Sequence, residues 1–201
     1  MKSNALAILV VLALVSCTEN ANTSAFRVPL APQAPIPQRE LPPADGFDFP
    51  VGPPDAKGYY NAQGFTKNNH LGDDWNGNGG GNSDKGDPVF ATADGLVKLA
   101  MDYEGGWGKV IRILHNAGTA EKPYFVESLY AHLDSMHVAA GAKVKRGQKI
   151  GNIGDAGGAY WAHLHFEIRR DTALDLGGGY DPDTTGYLDP TKFVKAHRPK
   201  H

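Results

Sequence analysis

The sequence predicts an all-β fold, mainly antiparallel, that closes with a short C-terminal helix or loop. Three observations carry this expectation. From about Phe47 onward the chain consists of short stretches rich in Val, Ile, Phe and Tyr. Loops rich in Gly, Asn and Asp separate those stretches, and this is the residue chemistry of turns between strands. No segment able to form three turns of helix occurs before "DPTKFVKAHR" near the C-terminus. The 25 glycines among 201 residues fit tight turns and short strands better than long helices.

Taken in order, the first element is not part of the fold. Lys2 precedes an apolar run, residues 5–15, which is too short to span a bilayer and reads as an export signal over residues 1–16. Its end, Leu14-Val15-Ser16-Cys17, resembles the bacterial lipobox, in which cleavage precedes a cysteine that receives diacylglycerol. Cys17 is the only cysteine, and an exported free thiol would be exposed to oxidation, whereas a lipidated one is consumed. Cys17 is therefore the expected lipidation site, holding the protein to a membrane without spanning it. Nine of the 14 prolines fall in the next stretch, residues 18–54, and such composition is stiff and extended. Residues 17–46 read as a tether; polyproline geometry, at about 3 Å per residue, gives the whole proline-rich stretch a reach of roughly 100 Å. The folded domain is expected over residues 47–195, with strands in "PVFATADGLVKLAMDY", "GKVIRILHN", "PYFVESLYAHL" and "HLHFEIRR". Short strands and glycine turns are expected in "HVAAGAKVKRGQKIGNIG", and residues 196–201 form a basic tail.

A formal net charge of −2, with no basic tract beyond the tail, argues against nucleic acid as a partner. The informative chemistry lies in two segments. In "WAHLHFEIRR", strand alternation places Leu164, Phe166 and Ile168 on one face and His163, His165 and Glu167 on the other. By itself this is equally a half-exposed polar face that contains histidines. In "NNHLGDDWNGNGGGN", residues 68–82, His70 and Asp74 are four apart, and the surrounding Asn and Gly residues oppose helix, so the two must converge from irregular or extended backbone. Alone, that pair would be solvated. With His165 the set becomes two imidazoles and a carboxylate, which suit Zn²⁺ at about 2.0–2.2 Å and leave a fourth tetrahedral position for water.

The phrases "HLGDDW", "YAHL" and "HLHFEIR", in this order, resemble the LytM/lysostaphin-type zinc endopeptidases of the M23 family, which carry HxxxD, a later histidine in a YAHL-like strand, and a terminal HxH. The connecting phrases "GDPVFATADGLV" and "GAKVKRGQKIGNIGDAGG" are similar as well. The resemblance implies a lysostaphin/LytM-like groove in a mainly antiparallel sheet, one Zn²⁺ per chain held by His70, Asp74 and His165, and non-ligand catalytic roles for His132 and His163. It implies a zinc metalloendopeptidase acting on peptidoglycan peptides; the alternative is a LytM-like protein that activates a cell-wall amidase, a class whose members typically lack some of these five residues. The expected setting is the cell envelope, through the lipid anchor: the outer membrane facing the periplasm in a Gram-negative host, otherwise the cell surface. A monomer is expected.

Two departures from the family pattern stand out. Ala162 occupies a position that is often proline, which would loosen the entry to the HxH strand. Residues 172–188 are longer than usual and read as a surface loop in preference to a groove wall. Glu167 reads as an edge carboxylate in preference to a partner of a ligand imidazole. Asp73 reads as solvated, His115 as an exposed turn residue, His137 as structural, and His197 and His201 as tail residues. For Trp75, Tyr130 and Trp161, groove lining and core packing stand as equal alternatives.

Overall fold

The computed structural model describes residues 41–199. The expected signal, Cys17, most of the tether and His201 lie outside the described residues. The strand-forming stretches become β1 (Tyr59–Gln63), β2 (Asp73–Gly77), β3 (Pro88–Phe90), β4 (Gly95–Asp102), β5 (Lys109–Asn116), β6 (Phe125–Met136), β7 (Lys143–Val144), β8 (Lys149–Ile153), β9 (Leu164–Arg169) and β10 (Tyr187–Leu188). They join one antiparallel sheet with the main order β1-β2-β9-β6-β5-β4-β7; β10 lies on β9, and β8 joins β3 to β6. The expected all-β fold is what forms. Among the described residues no helix is long and apolar enough to cross a membrane.

The expected C-terminal helix is α1, Pro190–Ala196. Asp189 caps it by accepting the Lys192 amide, and Pro190 sits at its first position, where a missing N–H costs nothing. The helix earns its place by burying Phe193 and Val194.

β9 is the centre of the molecule. Leu164, Phe166 and Ile168 are fully buried and pack into a core with Tyr130, Ile111, Ile113 and Val97. Each such side chain contributes roughly 1.5–3 kcal/mol by leaving water. Trp75 and Tyr130 belong to this core. The Tyr130 hydroxyl accepts from the Thr92 amide and meets the Ser128 hydroxyl, so its polar end is satisfied.

Two polar residues lie deeper than the sequence suggests. His115 is fully buried in β5 instead of standing at an exposed turn, because β5 runs two residues beyond the apolar "VIRIL" and is covered by the Phe47 ring. Asp73 is buried rather than solvated: it accepts the Phe65 amide and the Thr191 hydroxyl, fastening β2 to α1. Burial pushes its carboxyl up against the lowering effect of those bonds. The chain is tied to the sheet before Phe47 and after Ala196. Pro43 bridges to Asn116, and Arg146 and Arg198 both pair with Asp48.

Candidate metal centre

β2 and β9 lie side by side with Asp74 directly opposite His165. Cross-strand neighbours have their side chains in contact, so register alone brings these two together. His70 enters from extended backbone just after the short helical turn Lys67–Asn69, confirming that the four-residue spacing to Asp74 is not helical. Gly72 makes the approach possible: a Cβ there would stand 2.6 Å from the Phe166 carbonyl and 2.9 Å from Glu167 Cγ.

The three side chains present His70 Nε2, Asp74 Oδ1 and His165 Nδ1 to one another, at 3.0 Å between the imidazoles, 3.0 Å from His165 to Asp74 and 3.3 Å from His70 to Asp74. His70 is fully buried and His165 nearly so. The remaining ring nitrogen of His165, Nε2, faces Glu167 Oε1 at 2.9 Å. A carboxylate fixes the proton of a neutral imidazole on the nitrogen facing it. In the neutral ring, with a cation taking the place of the second proton, Nδ1 of His165 offers a lone pair aimed at the other two donors. Two imidazole lone pairs and a carboxylate oxygen, all within 4.8 Å, fit a divalent cation of the zinc type.

The electrostatics agree with that fit. Burial would depress the His165 imidazolium, but Asp74 and Glu167 outweigh it and hold it up at about 9. Burial would raise the Asp74 carboxyl, yet His165 and His70 hold it well below the usual carboxylate range. This is a place where positive charge is stabilised. Glu167 is therefore not an edge carboxylate; it is buried between His165 and Arg169.

His132 and His163 line the same groove, their rings 4.7 Å apart. His132 has a left-handed backbone, φ 60°, where β6 gains a residue against β5 between Tyr130 and Leu133. Such bulges re-aim a side chain. Burial, then the neighbouring His165 and His163, push its imidazolium down to about 3. His163 Nδ1 meets the Trp161 carbonyl at 2.7 Å, and its Nε2 lies 3.8 Å from Asp74 Oδ1. Ala162 does not loosen the strand entry. Its amide, which proline would lack, donates to Asn82 Oδ1 at 2.7 Å, and its carbonyl accepts from Asn76.

The groove holds about 850 Å³. Trp161 stands on its rim, 70 % exposed, whereas Trp75 and Tyr130 are core. Sequence reasoning misses Trp107 and Tyr180. Trp107 sets its ring 5.4 Å from His165, and Tyr180 lies 5.0 Å from His70. The only signal was an aromatic residue embedded among glycines in "EGGWG" and "GGGY". Residues 178–180 line the groove, so the long segment after β9 is a wall and not simply a surface loop. His115, His137 and His197 stay away from the site, with local partners of their own.

The chain matches Peptidase family M23 over residues 74–176, just over half its length. It is 44% identical over 85 residues to "Lipoprotein NlpD" of Yersinia enterocolitica, covering 42% of this chain and 79% of that protein. It has the same identity over 85 residues to "Murein hydrolase activator NlpD" of Escherichia coli K12, covering 42% of this chain but only 20% of that protein, so the chain spans about a fifth of that relative. Among solved structures, a zinc-containing peptidase from Vibrio cholerae superimposes with a TM-score of 0.50 at 30% identity, over 61% of this chain and 36% of that one. His70 lies just before the matched residues; Asp74, His132, His163 and His165 lie within them. On the extent of the family match, the chain belongs to Peptidase family M23.

Proposed function

We propose that the chain is a zinc endopeptidase that hydrolyses peptide cross-links or stem peptides of peptidoglycan. One observation carries this reading: all five residues are present, with Asp74, His132, His163 and His165 lining one groove and His70 buried against Asp74 and His165. His70, Asp74 and His165 would hold one Zn²⁺ per chain. When bound, Zn²⁺ supplies Lewis acidity and makes hydroxide available near neutral pH.

The chain's own residues divide the proton work. His163 donates its Nδ1 hydrogen to the Trp161 carbonyl, which leaves Nε2 as the proton acceptor on the groove side. His132, kept neutral by burial, offers an N–H to a developing oxyanion without carrying charge into the site. Asp74 and Glu167 hold the electrostatic balance around His165.

A second reading, activation of a separate cell-wall amidase, is favoured by a specific observation: a relative 44% identical carries the name of a murein hydrolase activator. Muropeptide analysis of purified sacculi separates the two. The endopeptidase reading predicts new peptide termini from the chain with zinc alone. The activator reading predicts no change until an amidase is added, and then release of stem peptides from glycan.

We further propose that the mature protein starts at lipidated Cys17, a reading supported by the Leu14-Val15-Ser16-Cys17 box and by a relative named as a lipoprotein. Thr18 is not the aspartate associated with inner-membrane retention, so in a Gram-negative host the outer membrane is the proposed site. The proline-rich tether would let the domain reach peptidoglycan from there. Cys17→Ser should abolish membrane association; a variant still membrane-bound at normal mass contradicts the anchor.

A further inference from the structure

The segment 172–180, which leaves β9 and returns beside the groove, is held by the half-buried Lys98 and the buried Arg112 and Arg169. Lys98 Nζ donates to the Thr172 carbonyl at 2.5 Å and Arg112 Nη2 to that of Leu174 at 2.7 Å. Arg169 donates from Nη1 to the backbone carbonyl of Asp175 and from Nη2 to that of Leu176, both at 2.8 Å. Trp107 Nε1 and the Leu71 amide take the carbonyls of Gly177 and Gly179. Beneath the cations lie two fully buried carboxylates. Glu127 pairs with Lys98 and Arg112, and Glu167 pairs with Arg169. Arg169 is fully buried, and its donors would be costly to leave unmet. The carbonyls of 174–176 complete the guanidinium shells, so the segment is needed where it is.

Arg169 also reaches the metal centre. Its Nε donates to Glu167 Oε2 at 2.6 Å, and the other oxygen of Glu167 faces His165 Nε2 at 2.9 Å. A guanidinium is a rigid planar fork. A shift of residues 175–176 must therefore turn the group that orients Glu167, and through it His165. At the far end of the segment, a Cβ on Gly179 would lie 3.4 Å from Trp107 and 3.9 Å from His165 Cε1, so a side chain there would meet the same imidazole.

We propose that segment 172–180 is a fixed specificity wall of the groove and that Arg169 is a positioning residue that sets this wall and the His165 ligand together. The metal part rests on the zinc reading above. Because the wall's rim over 177–179 carries no side chains, it presents main chain to an extended peptide, and Gly178 has open space around its Cβ position, the nearest atom being 4.0 Å away.

The test uses the full chain and three readouts: zinc affinity by competition with a chromophoric chelator, hydrogen exchange over 172–180, and action on sacculi. Arg169→Lys keeps a charge but loses the fork. It should lower zinc affinity on the order of 10–100-fold and speed exchange across 172–180. Lys98→Met should speed exchange near Thr172 and leave zinc affinity as in the wild type. Glu167→Gln, which alters a carboxylate bonded to Arg169 and His165, should speed exchange over the wall as well, and it keeps the test alive if Arg169→Lys fails to fold. Gly178→Leu should keep zinc affinity and reduce whichever the wild type performs on sacculi, cleavage or binding. Folded Arg169→Lys with wild-type zinc affinity, or Glu167→Gln with wild-type exchange over 172–180, overturns the coupling. Gly178→Leu acting as the wild type overturns the wall. A wild type that takes up no zinc refutes the zinc reading instead, while the exchange comparison still decides whether Arg169 and Glu167 set the wall.

Discussion

His115 and His165 sit in the same sheet, both shielded from water, and shift in opposite directions from the ordinary histidine value. His115 has a backbone carbonyl, that of Asp94, at 2.9 Å from Nδ1 and the Ser128 hydroxyl at 2.7 Å from Nε2. Nothing there offsets its burial sufficiently, and its imidazolium is pushed down to about 4. His165 is as deeply placed but lies between Asp74 and Glu167, and it is held up at about 9. The difference lies in the neighbours, not in depth. A buried imidazole with neutral partners is a piece of core; one between two carboxylates marks a place built for positive charge.

The largest effect is expected from removing the two histidines proposed to handle protons while leaving the charge site intact. His132→Ala and His163→Ala should each lose about 10²–10⁴ in cleavage rate while retaining zinc, measured by peptide release from sacculi beside metal analysis. Near-wild-type cleavage at either position removes that histidine from the proposed mechanism.

The core histidine sharpens the comparison through pH. The unfolded chain takes up a proton on His115 near its ordinary value of 6.5, whereas the folded protein resists until about 4. Protonation thus favours the unfolded state between those values, and stability falls as pH drops from 6.5 towards 4. The effect is about 3 kcal/mol at full extent. Urea unfolding at pH 7 and pH 4.5 should show a smaller loss for His115→Asn than for the wild type. Equal losses would mean that His115 does not titrate differently on folding.

A smaller change is expected from neutralising one flank of His165. Glu167→Gln should weaken zinc on the order of 10–100-fold and leave the fold standing, read by chelator competition and circular dichroism. The smallest is a control at a residue bonded to neither histidine: Asp189→Ala removes the cap of α1 and should cost about 1 kcal/mol in urea unfolding without changing metal uptake.

Much of this was legible before any coordinates. The alternation in "HLHFEIR" gave the two faces of β9, and the turn chemistry gave the strand class. That His70, Asp74, His132, His163 and His165 belong to one site is what the family resemblance carried by three motifs in order implies. What stayed hidden depends on contacts between distant segments. Asp73 is buried because α1, which carries Thr191, folds back onto β2. Glu167 is a partner of His165 because Arg169, two residues on, is buried beneath the returning segment. That segment reads as loop because its glycines and aspartates are turn formers. Its carbonyls are claimed by Lys98 and Arg112 from β4 and β5, a pairing that no local pattern encodes.

The most direct test of the contrast between the two buried histidines is metal analysis of three proteins purified without chelator: the wild type, His115→Asn and His165→Ala. One zinc per chain is expected in the wild type and in His115→Asn, and none in His165→Ala. Full zinc in His165→Ala would contradict the role proposed for His165.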